Sequence, residues 1–322
     1  MMSTAEHEIA GRTVVVTGAS SGLGRGTALR LAAAGANVVV AARRGAVLDE
    51  LVEQIHSGGG GAAVAVVADV SSIDDVRRIA AVAIERFGGF DVWVNDAGIA
   101  AMGLFWEVPV EDHARVVEVN LTGLIHGSHV ALRHFVDRGA GVLVNIGSVE
   151  SEVPLAYQSS YAATKAGVLS LSRALNEDLR LAGLDETIKV GTIMPWAVDT
   201  PFWVHTANYT GHTARMAALD DPDVVVDAIV AACSDPSERQ PVGWKARGAG
   251  VSHQIAPGLT KRVSAGIIAA ESAKGDPAPA TTGSIYESSG LGATVDGGTR
   301  ERMRREDAPD PTSAPAPDAE SA

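Results

Sequence analysis

The sequence predicts an open α/β fold in which helices cover both faces of a mostly parallel sheet. Three observations support this fold. Short apolar runs alternate with segments of helical periodicity from Arg12 to Trp244. A glycine-rich loop joins the first apolar run to the first helical segment. Polar residues follow several of the apolar runs, at the edge where open α/β sheets bind ligands. We therefore expect a doubly wound, seven-stranded sheet with a C-terminal extension.

Seven apolar runs, several of them rich in β-branched residues, are predicted as the strands. The helical segments between them have lengths that suit crossovers between parallel strands. One of these, at residues 109–138, contains Asn120, whose poor helix propensity predicts either a kink or a polar role. The predicted strands are residues 13–17, 37–42, 63–68, 91–94, 142–146, 188–193 and 240–244.

Composition limits the classes of function. The 322 residues carry a formal net charge of −13, which argues against nucleic-acid binding because that needs a basic face. A single cysteine, Cys233, excludes an intrachain disulfide and a thiolate metal cluster. The first ten residues are polar, and no apolar run is long enough to span a membrane. We expect a cytoplasmic protein that needs no metal and does not bind nucleic acid.

The glycine-rich loop, from Gly18 to Gly24, predicts a phosphate-binding site. Its glycines allow a tight turn, a close approach of the backbone to a pyrophosphate, and close packing of helix on strand. The N–H groups at the start of the following helix would face the phosphates. A merely structural turn is the alternative, but the position between a strand and a helix favours the phosphate site.

Residues after the second and third strands point to the cofactor. Ala42 stands where an acid would bind the ribose hydroxyls of NAD, and Arg43 follows it. Arginine suits a 2′-phosphate, so NADP(H) is favoured over NAD(H), while Arg44 is expected to be solvated. Asp69 could accept a hydrogen bond from the adenine amino group, and Val70 could pack on the ring. Asp69 could equally begin a turn.

Tyr161 and Lys165 lie four residues apart and share one face of a predicted helix. A phenol beside a fixed ammonium should ionise more easily, which would make it a proton donor and acceptor near neutral pH. Taken alone, this spacing is common by chance. Ser148 follows the fifth strand, at the ligand-binding edge. The small residues after Asn95 would let the backbone pass close to a ribose, although Asn95 could simply stabilise a turn.

Together these motifs resemble the short-chain dehydrogenase/reductase superfamily, in its compact, single-domain, Rossmann-fold branch. The matching pieces are the glycine loop, Asp69-Val70, Asn95 to Gly98, Asn120, and Ser148 thirteen residues before Tyr161. The resemblance implies an enzyme that interconverts a small-molecule carbonyl and an alcohol by hydride transfer. It also implies a homodimer or homotetramer formed through helices at residues 109–138 and 161–182.

The resemblance also assigns roles to individual residues. Tyr161 would be the catalytic acid/base, Lys165 would lower its pKa and hold the nicotinamide ribose, and Ser148 would orient the substrate oxygen. Asn120 would keep a water in a proton relay. The cofactor contacts it implies are Gly18, Ser20, Ser21, Gly22, Leu23, Gly24, Arg43, Asp69, Val70, Asn95, Ala97, Gly98, Tyr161, Lys165, Pro195, Val198 and Thr200.

Two residues depart from the family pattern. Asp96 stands where a second asparagine is usual, and Trp196 replaces the glycine that usually follows Pro195. A tryptophan there would narrow or reshape the substrate pocket, so the substrate of relatives cannot be transferred. Trp196 is also the one feature that favours an alternative, a nucleotide-bound scaffold or sensor without turnover. A third hypothesis is an NAD-dependent dehydrogenase of a steroid or polyol alcohol.

The chain continues beyond the compact family pattern. We expect a catalytic domain at residues 1–250, a helical extension at 251–274, and a mostly disordered tail at 275–322. The tail is rich in Pro, Ala, Ser, Asp and Gly, a composition that cannot bury enough surface to order itself. The run Val295-Asp-Gly-Gly298 is similar to the terminal strand of the family. It is expected to be a coincidence or, at most, a short docked segment.

Overall fold

The computed structural model describes residues 8–308. Nine strands occur in this range, seven of them in one sheet. The strands are β1 Thr13–Thr17, β2 Asn37–Ala42, β3 Ala63–Val67, β4 Val92–Asn95, β5 Ala101–Met102, β6 Gly141–Ile146, β7 Ile188–Pro195, β8 Ala207–Asn208 and β9 Gln240–Val242. The α-helices are α1 Gly22–Ala33, α2 Gly45–Ser57, α3 Ile73–Phe87, α4 Val110–Val117, α5 Gly123–Arg138, α6 Ser159–Ala182, α7 Phe202–His205, α8 Pro222–Ala232, α9 Gly243–Ile255, α10 Pro257–Ser272 and α11 Thr299–Glu306.

The main sheet has the strand order β3-β2-β1-β4-β6-β7-β9, and every neighbouring pair is parallel. This confirms the predicted seven-stranded, doubly wound sheet. The chain builds outwards from β1 in one direction and then returns to β4 to build in the other. A crevice therefore opens between the carboxyl ends of β1 and β4, where such folds bind ligands.

Helices cover both faces of the sheet because its strands are apolar on both sides. Within β1, Val14 and Val16 face one layer and Val15 faces the other, as the two-residue period of a strand requires. The first layer holds α1, α2 and α8, and the second holds α3, α5 and α6. Helices α1 and α8 pack closely at Gly26, where a Cβ would lie 2.7 Å from Val226 Cγ2.

The long helix predicted around Asn120 is interrupted as expected. Residues Glu118–Thr122 form a π-helical turn that joins α4 to α5. Such turns place one extra residue in the helix and occur often at functional sites. Asn120 is 1% exposed, and its side-chain amide is hydrogen-bonded to Ile99, in the segment after β4. The predicted alternatives, a kink or a polar role, are therefore both present.

The predicted disorder is wrong for residues 275–308, which fold back across the carboxyl edge of the sheet. We call residues 276–298 the strap. Asn208 and Thr281 exchange two main-chain hydrogen bonds, of 2.8 and 3.0 Å, at one end of it. The Asp199 carboxylate accepts the N–H groups of Thr299 and Arg300 at the other end. Composition missed this order because the strap is held mainly by hydrogen bonds rather than by apolar burial.

An ion cluster fixes the helical extension to the body. The Arg215 side chain has no exposed surface and donates to Glu271 of α10 and to Glu306 and Asp307 at the end of α11. These partners lie 56 to 92 residues away along the chain. A cluster of this kind is invisible to local sequence patterns. Residues 309–322 of the predicted tail lie outside the described residues.

A polar network crosses the centre of the sheet between β4 and β6. Asn95 and Asn145 occupy paired positions on these strands, and Asn95 Nδ2 donates to Asn145 Oδ1 at 2.9 Å. The Trp93 indole N–H donates to Asn95 Oδ1 at 2.8 Å, and Asn145 donates to Ser172. Buried amides of this kind are stable only while every group keeps its partner.

We expect Asn95→Ala to lower the free energy of unfolding by about 2–4 kcal/mol, because it leaves the Trp93 indole N–H and Asn145 Oδ1 unpaired in the core. Urea unfolding followed by Trp fluorescence measures the change. Gln54→Ala is the control, since the Gln54 side chain accepts a hydrogen bond from Arg25 at the surface of the protein. An Asn95→Ala protein as stable as the control would show that the network contributes nothing.

Candidate active site

A cavity of about 240 Å³ occupies the carboxyl edge of the sheet. Most of the predicted site residues line it, although they come from seven separate parts of the chain. Gly24, Asn95 and Asn120 do not line it. The predicted residues that do are Gly18, Ser20, Ser21, Gly22, Leu23, Arg43, Asp69, Val70, Ala97, Gly98, Ser148, Tyr161, Lys165, Pro195, Val198 and Thr200.

The glycine loop is shaped by contacts that leave no space for a side chain. Gly18 has a φ of +73°, and a Cβ there would lie 2.8 Å from the Ala97 main-chain nitrogen. A Cβ at Gly24 would lie 2.6 Å from the Gly18 carbonyl oxygen. Helix α1 begins at Gly22, which lines the cavity. The Gly22 N–H donates to the Thr294 carbonyl oxygen, and the Gly24 N–H donates to the Asp96 carboxyl. The loop is therefore a cradle that a phosphate could occupy but that a side chain would fill.

Tyr161 lies in the first turn of α6, and Ser148 lies just after the end of β6. Both side chains line the cavity, and the Ser148 hydroxyl acts to lower the pKa of Tyr161. Burial and the nearby carboxyl of Glu150 raise the pKa of Tyr161, despite the effect of Ser148. The pKa of Tyr161 is thus raised rather than lowered, because desolvation of the phenolate outweighs the effect of Ser148. The expected help from Lys165 stays a prediction.

Lys165 lies one helical turn beyond Tyr161, and its side chain is almost fully buried. Its Nζ donates to the Ile146 carbonyl oxygen at 2.7 Å and lies 5.5 Å from the centroid of the Tyr161 ring. Burial lowers the pKa of Lys165 to about 8, and the Asp96 and Glu150 carboxyls oppose the shift. The ammonium thus sits beneath the phenol, held by a carbonyl at the end of β6.

Asn120 is committed to the backbone of the neighbouring segment. Its Oδ1 accepts from the Ile99 N–H and its Nδ2 donates to the Ile99 carbonyl, both at 2.8 Å. A Cβ at Gly98 would lie 3.6 Å from Asn120 Oδ1 and 3.8 Å from Lys165 Nζ. Asn120 therefore positions the segment that separates it from Lys165. Its role in a proton relay stays a prediction.

The residues after β4 divide between core and cavity. Asn95 points into the central polar network, so its predicted cofactor contact is not found. Asp96, which replaces the usual asparagine, lies on the cavity wall and accepts from the Gly24 N–H. Burial raises the pKa of Asp96 to about 7, against the opposing effects of Lys165 and of that N–H.

Glu150 is a cavity residue that sequence reasoning missed. It stands two residues after Ser148, in the 3₁₀ turn Val149–Ser151, and is 4% exposed. Burial raises the pKa of Glu150 well above its ordinary value, although the Leu155 N–H and Lys165 oppose the rise. The sequence signal that could have identified Glu150 is an acidic residue two positions after Ser148, just beyond a buried strand.

The part of the cavity wall that follows β2 and β3, where the ribose is expected, has more arginine contacts than the sequence predicts. Asp69 accepts from Ser71 and from Arg115, so its carboxylate is already engaged. Burial would raise the pKa of Asp69, but the hydrogen bonds from Ser71 and Arg115 lower it. Arg44 was expected to be solvated; instead it lines the cavity and donates to Ser20 Oγ at 3.1 Å.

The part of the cavity beside Tyr161, where the substrate is expected, is apolar and aromatic. Trp196 lines it, and its indole N–H is 3.4 Å from the Ala217 carbonyl. The Phe202 ring lies 5.7 Å from the Tyr161 ring, centroid to centroid. Other apolar side chains on this wall are Leu155, Trp203 and Met216. His205 also lines the cavity, whereas His212 does not.

Two absences apply to residues 8–308. No group of three or more His, Cys, Asp or Glu side chains is arranged to bind a metal ion in that range. Among the same residues, none of the helices combines the length and the apolar character that crossing a bilayer requires.

Comparison with protein families gives one match, which covers most of the cavity-forming chain. Residues 12–209 match the model described as short chain dehydrogenase. The chain is 34% identical to the uncharacterized oxidoreductase YxnA of Bacillus subtilis over 257 residues, which are 78% of this chain and 71% of that protein. It is 41% identical to 3beta-hydroxysteroid dehydrogenase 1 of Eggerthella lenta over 214 residues, which are 65% of this chain and 78% of that protein.

A solved structure shares the architecture. A short chain dehydrogenase/reductase from Burkholderia phymatum, in complex with NAD, superposes with a TM-score of 0.57 at 33% identity. The superposition covers 59% of this chain and 67% of that one.

The Asp96 carboxyl should make stability depend on pH. The pKa of Asp96 is about 7 in the folded protein, against an ordinary value of 3.8. The stability that the protonated acid contributes is therefore present below pH 3.8 and is lost as the pH rises towards 7. We expect the melting temperature of Asp96→Asn, minus that of the wild type, to increase between pH 4 and pH 7.5. Asp74→Asn is the surface control. A difference that stays constant with pH would contradict the assignment.

Proposed function

Because the chain belongs to the short chain dehydrogenase family of oxidoreductases, we propose that it interconverts a carbonyl compound and an alcohol with Tyr161 as acid and base. The observation that carries this proposal is that Ser148, Tyr161 and Lys165 line one cavity wall, with the Lys165 ammonium 5.5 Å from the centre of the phenol ring. A protein that only bound a nucleotide would have no need of that arrangement. This disfavours the scaffold or sensor hypothesis.

The residues present fit a nicotinamide dinucleotide. The cradle at Gly18 and Gly24 would be filled by any Cβ, so its shape suits a phosphate pressed against the backbone. Once bound, such a cofactor supplies the hydride for reduction or accepts it in oxidation. In this assignment Gly18 to Leu23 hold its phosphates, Lys165 its ribose, and Val198 and Thr200 the end nearest the substrate.

The chain's own groups manage the proton and the developing charge. In reduction, negative charge grows on the substrate oxygen, and Ser148 hydrogen-bonds that oxygen where the charge appears. Tyr161 then donates its proton to the same oxygen. Its raised pKa keeps the phenol protonated and ready for this step. The Lys165 ammonium stabilises the phenolate that remains, and Asn120 fixes the segment that holds Lys165 in place.

The substrate class follows from the cavity walls. Trp196, Phe202 and Trp203 favour a substrate with a sizeable apolar body next to the reacting group. A second candidate is therefore oxidation of a hydroxyl group on a steroid-like scaffold with NAD. The relative from Eggerthella lenta, named as a 3beta-hydroxysteroid dehydrogenase, supports it together with the same aromatic wall.

For the cofactor we propose NADP(H), with NAD(H) as the alternative. Arg43 and Arg44 both line the cavity, and no acid stands at Ala42 to exclude a 2′-phosphate. Each guanidinium has five N–H donors. Arg43 uses its terminal nitrogens on three strap carbonyls, so it can still turn a donor to a phosphate.

Two further expectations remain proposals. A homodimer or homotetramer through α4 to α6 would cover Ile125 and Val136, which are exposed on α5. A cytoplasmic location also stays a prediction.

We propose that the catalytic unit extends beyond the expected limit at residue 250, because Ser284, Ser288 and Ser289 of the strap line the cavity.

Tyr161→Phe should lower kcat by roughly 10²–10⁴-fold, the usual contribution of a general acid. Cofactor affinity should stay within a few-fold of wild type, because the ring and Lys165 remain. A panel of carbonyls and alcohols, followed at the nicotinamide absorbance band, gives the rates, and fluorescence titration gives the affinity. Tyr157→Phe, a nearby tyrosine outside the cavity wall, is the control. Undiminished turnover in Tyr161→Phe would remove it from the mechanism.

Arg43→Ala should weaken NADPH more than NADH, by about 10-fold to 100-fold in the ratio of dissociation constants, because only NADPH loses a charge-assisted hydrogen bond. Any loosening of the strap would affect both cofactors and cancel in that ratio. Fluorescence titration of wild type and variant with each cofactor measures it. A wild type that prefers NADH, or an equal loss for both cofactors, would overturn the NADP assignment.

A further inference from the structure

The strap forms the outer wall of the ribose end of the cavity. Ser284, Ser288 and Ser289 line the same space as Arg43 and Asp69. The compact catalytic domain ends before the strap begins, so these residues are additional to the site expected from the sequence.

Two arginines hold the strap through its main-chain carbonyls. Arg43 donates to the carbonyl oxygens of Ser284, at 2.5 Å, and Tyr286, at 2.8 Å. Arg44 donates to the carbonyl of Leu291 at 2.7 Å. Both arginines follow β2, whereas the ends of the strap are anchored at Asn208 and Asp199. The bonds therefore join the strap to the part of the cavity wall that follows β2.

A further main-chain bond reaches the phosphate cradle. The Gly22 N–H, at the N-terminus of α1, donates to the Thr294 carbonyl oxygen at 2.8 Å. His205 Nε2 lies 3.0 Å from the Leu291 carbonyl. The strap thus closes the cavity along its length, from the residues predicted to bind ribose to those predicted to bind phosphate.

Side chains fix the strap at its centre. Tyr286 donates to Asp112 Oδ1 at 2.8 Å, and Tyr209 donates to the other oxygen of the same carboxylate. Ile285 has no exposed surface and packs in a small cluster with Ile99, Val116 and Tyr161. The strap therefore belongs to the same apolar cluster against which the residue assigned as acid and base packs.

The strap can open without unfolding the domain. Its two ends are fixed by Thr281 and by Asp199, whereas Tyr286 and Leu291 between them are 44% and 71% exposed. Gly283 and Gly292, with φ of +53° and +63°, flank this central part. A segment held by few apolar contacts and by hydrogen bonds at the surface opens at a small fraction of the global unfolding free energy.

We propose that the strap is part of the cofactor site: it closes over the ribose half of the bound dinucleotide and must open for each exchange of cofactor. This inference rests on the proposed function, because it needs a dinucleotide in the cavity. It assigns Arg43 and Arg44 a second task, which is to hold the strap shut. It also makes strap opening a step that can limit turnover.

Stopped-flow fluorescence of NADPH binding and release tests the proposal, in the full-length protein. Tyr286→Phe removes the bond to Asp112, and Ile285→Ala removes the buried contact. Both variants should raise the association and the dissociation rate of NADPH, by roughly tenfold, the effect of losing one hydrogen bond to a charged group. Tyr157→Phe is the matched control and should leave both rates unchanged. Tyr286→Phe loses only a hydroxyl, so it keeps the test valid if Ile285→Ala folds poorly.

Hydrogen exchange gives the second measurement. Amides of residues 284–294 should exchange more slowly when NADPH is added to the wild type. A rise in the dissociation rate alone would mean a fixed wall rather than a strap that opens, and would overturn the proposal. Unchanged rates together with unchanged exchange would also overturn it, while leaving the hydride-transfer function intact. A wild type that binds neither NADPH nor NADH would instead refute the proposed function.

Discussion

The bond from the Lys165 ammonium to the Ile146 carbonyl places one positive charge inside the carboxyl edge of the sheet, and the rest of the site depends on it. That charge opposes the rise in the pKa of both Asp96 and Glu150. The two acids in turn oppose the fall in the pKa of Lys165. Burial outweighs these attractions at every one of the three groups. Burial at this edge of the sheet therefore favours the uncharged form of all three groups more than water would.

The backbone imposes the second constraint. A Cβ at Gly18 would lie 2.8 Å from the Ala97 main-chain nitrogen, and a Cβ at Gly24 would lie 2.6 Å from the Gly18 carbonyl oxygen, so only hydrogen atoms fit at these two positions. The Thr17 hydroxyl donates to the Val94 carbonyl at 3.2 Å and accepts the Asp96 N–H at the same distance, which ties the ends of β1 and β4 together. These contacts narrow the crevice between β1 and β4, and they require glycine because any larger residue would collide with the neighbouring backbone.

Local patterns were sufficient to predict the sheet, the glycine loop and the Tyr161–Lys165 face, because each follows from neighbours in sequence. The same patterns misplaced Asn95, since a polar residue at a strand end can face either the cavity or the core. They missed the balance of pKa values, because desolvation depends on every element packed around a group. They also missed the strap, whose anchoring bonds join Arg43 to residues 241 to 243 positions away.

The strap shows why composition alone gave the wrong answer for residues 275–308. A segment poor in apolar residues cannot order itself, but a folded domain can order it by offering donors that already have a fixed position. Arg43, Arg44 and Arg115 are such donors, and they bind carbonyls, which every residue carries whatever its side chain. The order of the strap therefore depends on the arginines of the catalytic domain as well as on Tyr286 and Ile285 of the strap itself. A tail of similar composition on a domain without these arginines would have no reason to fold.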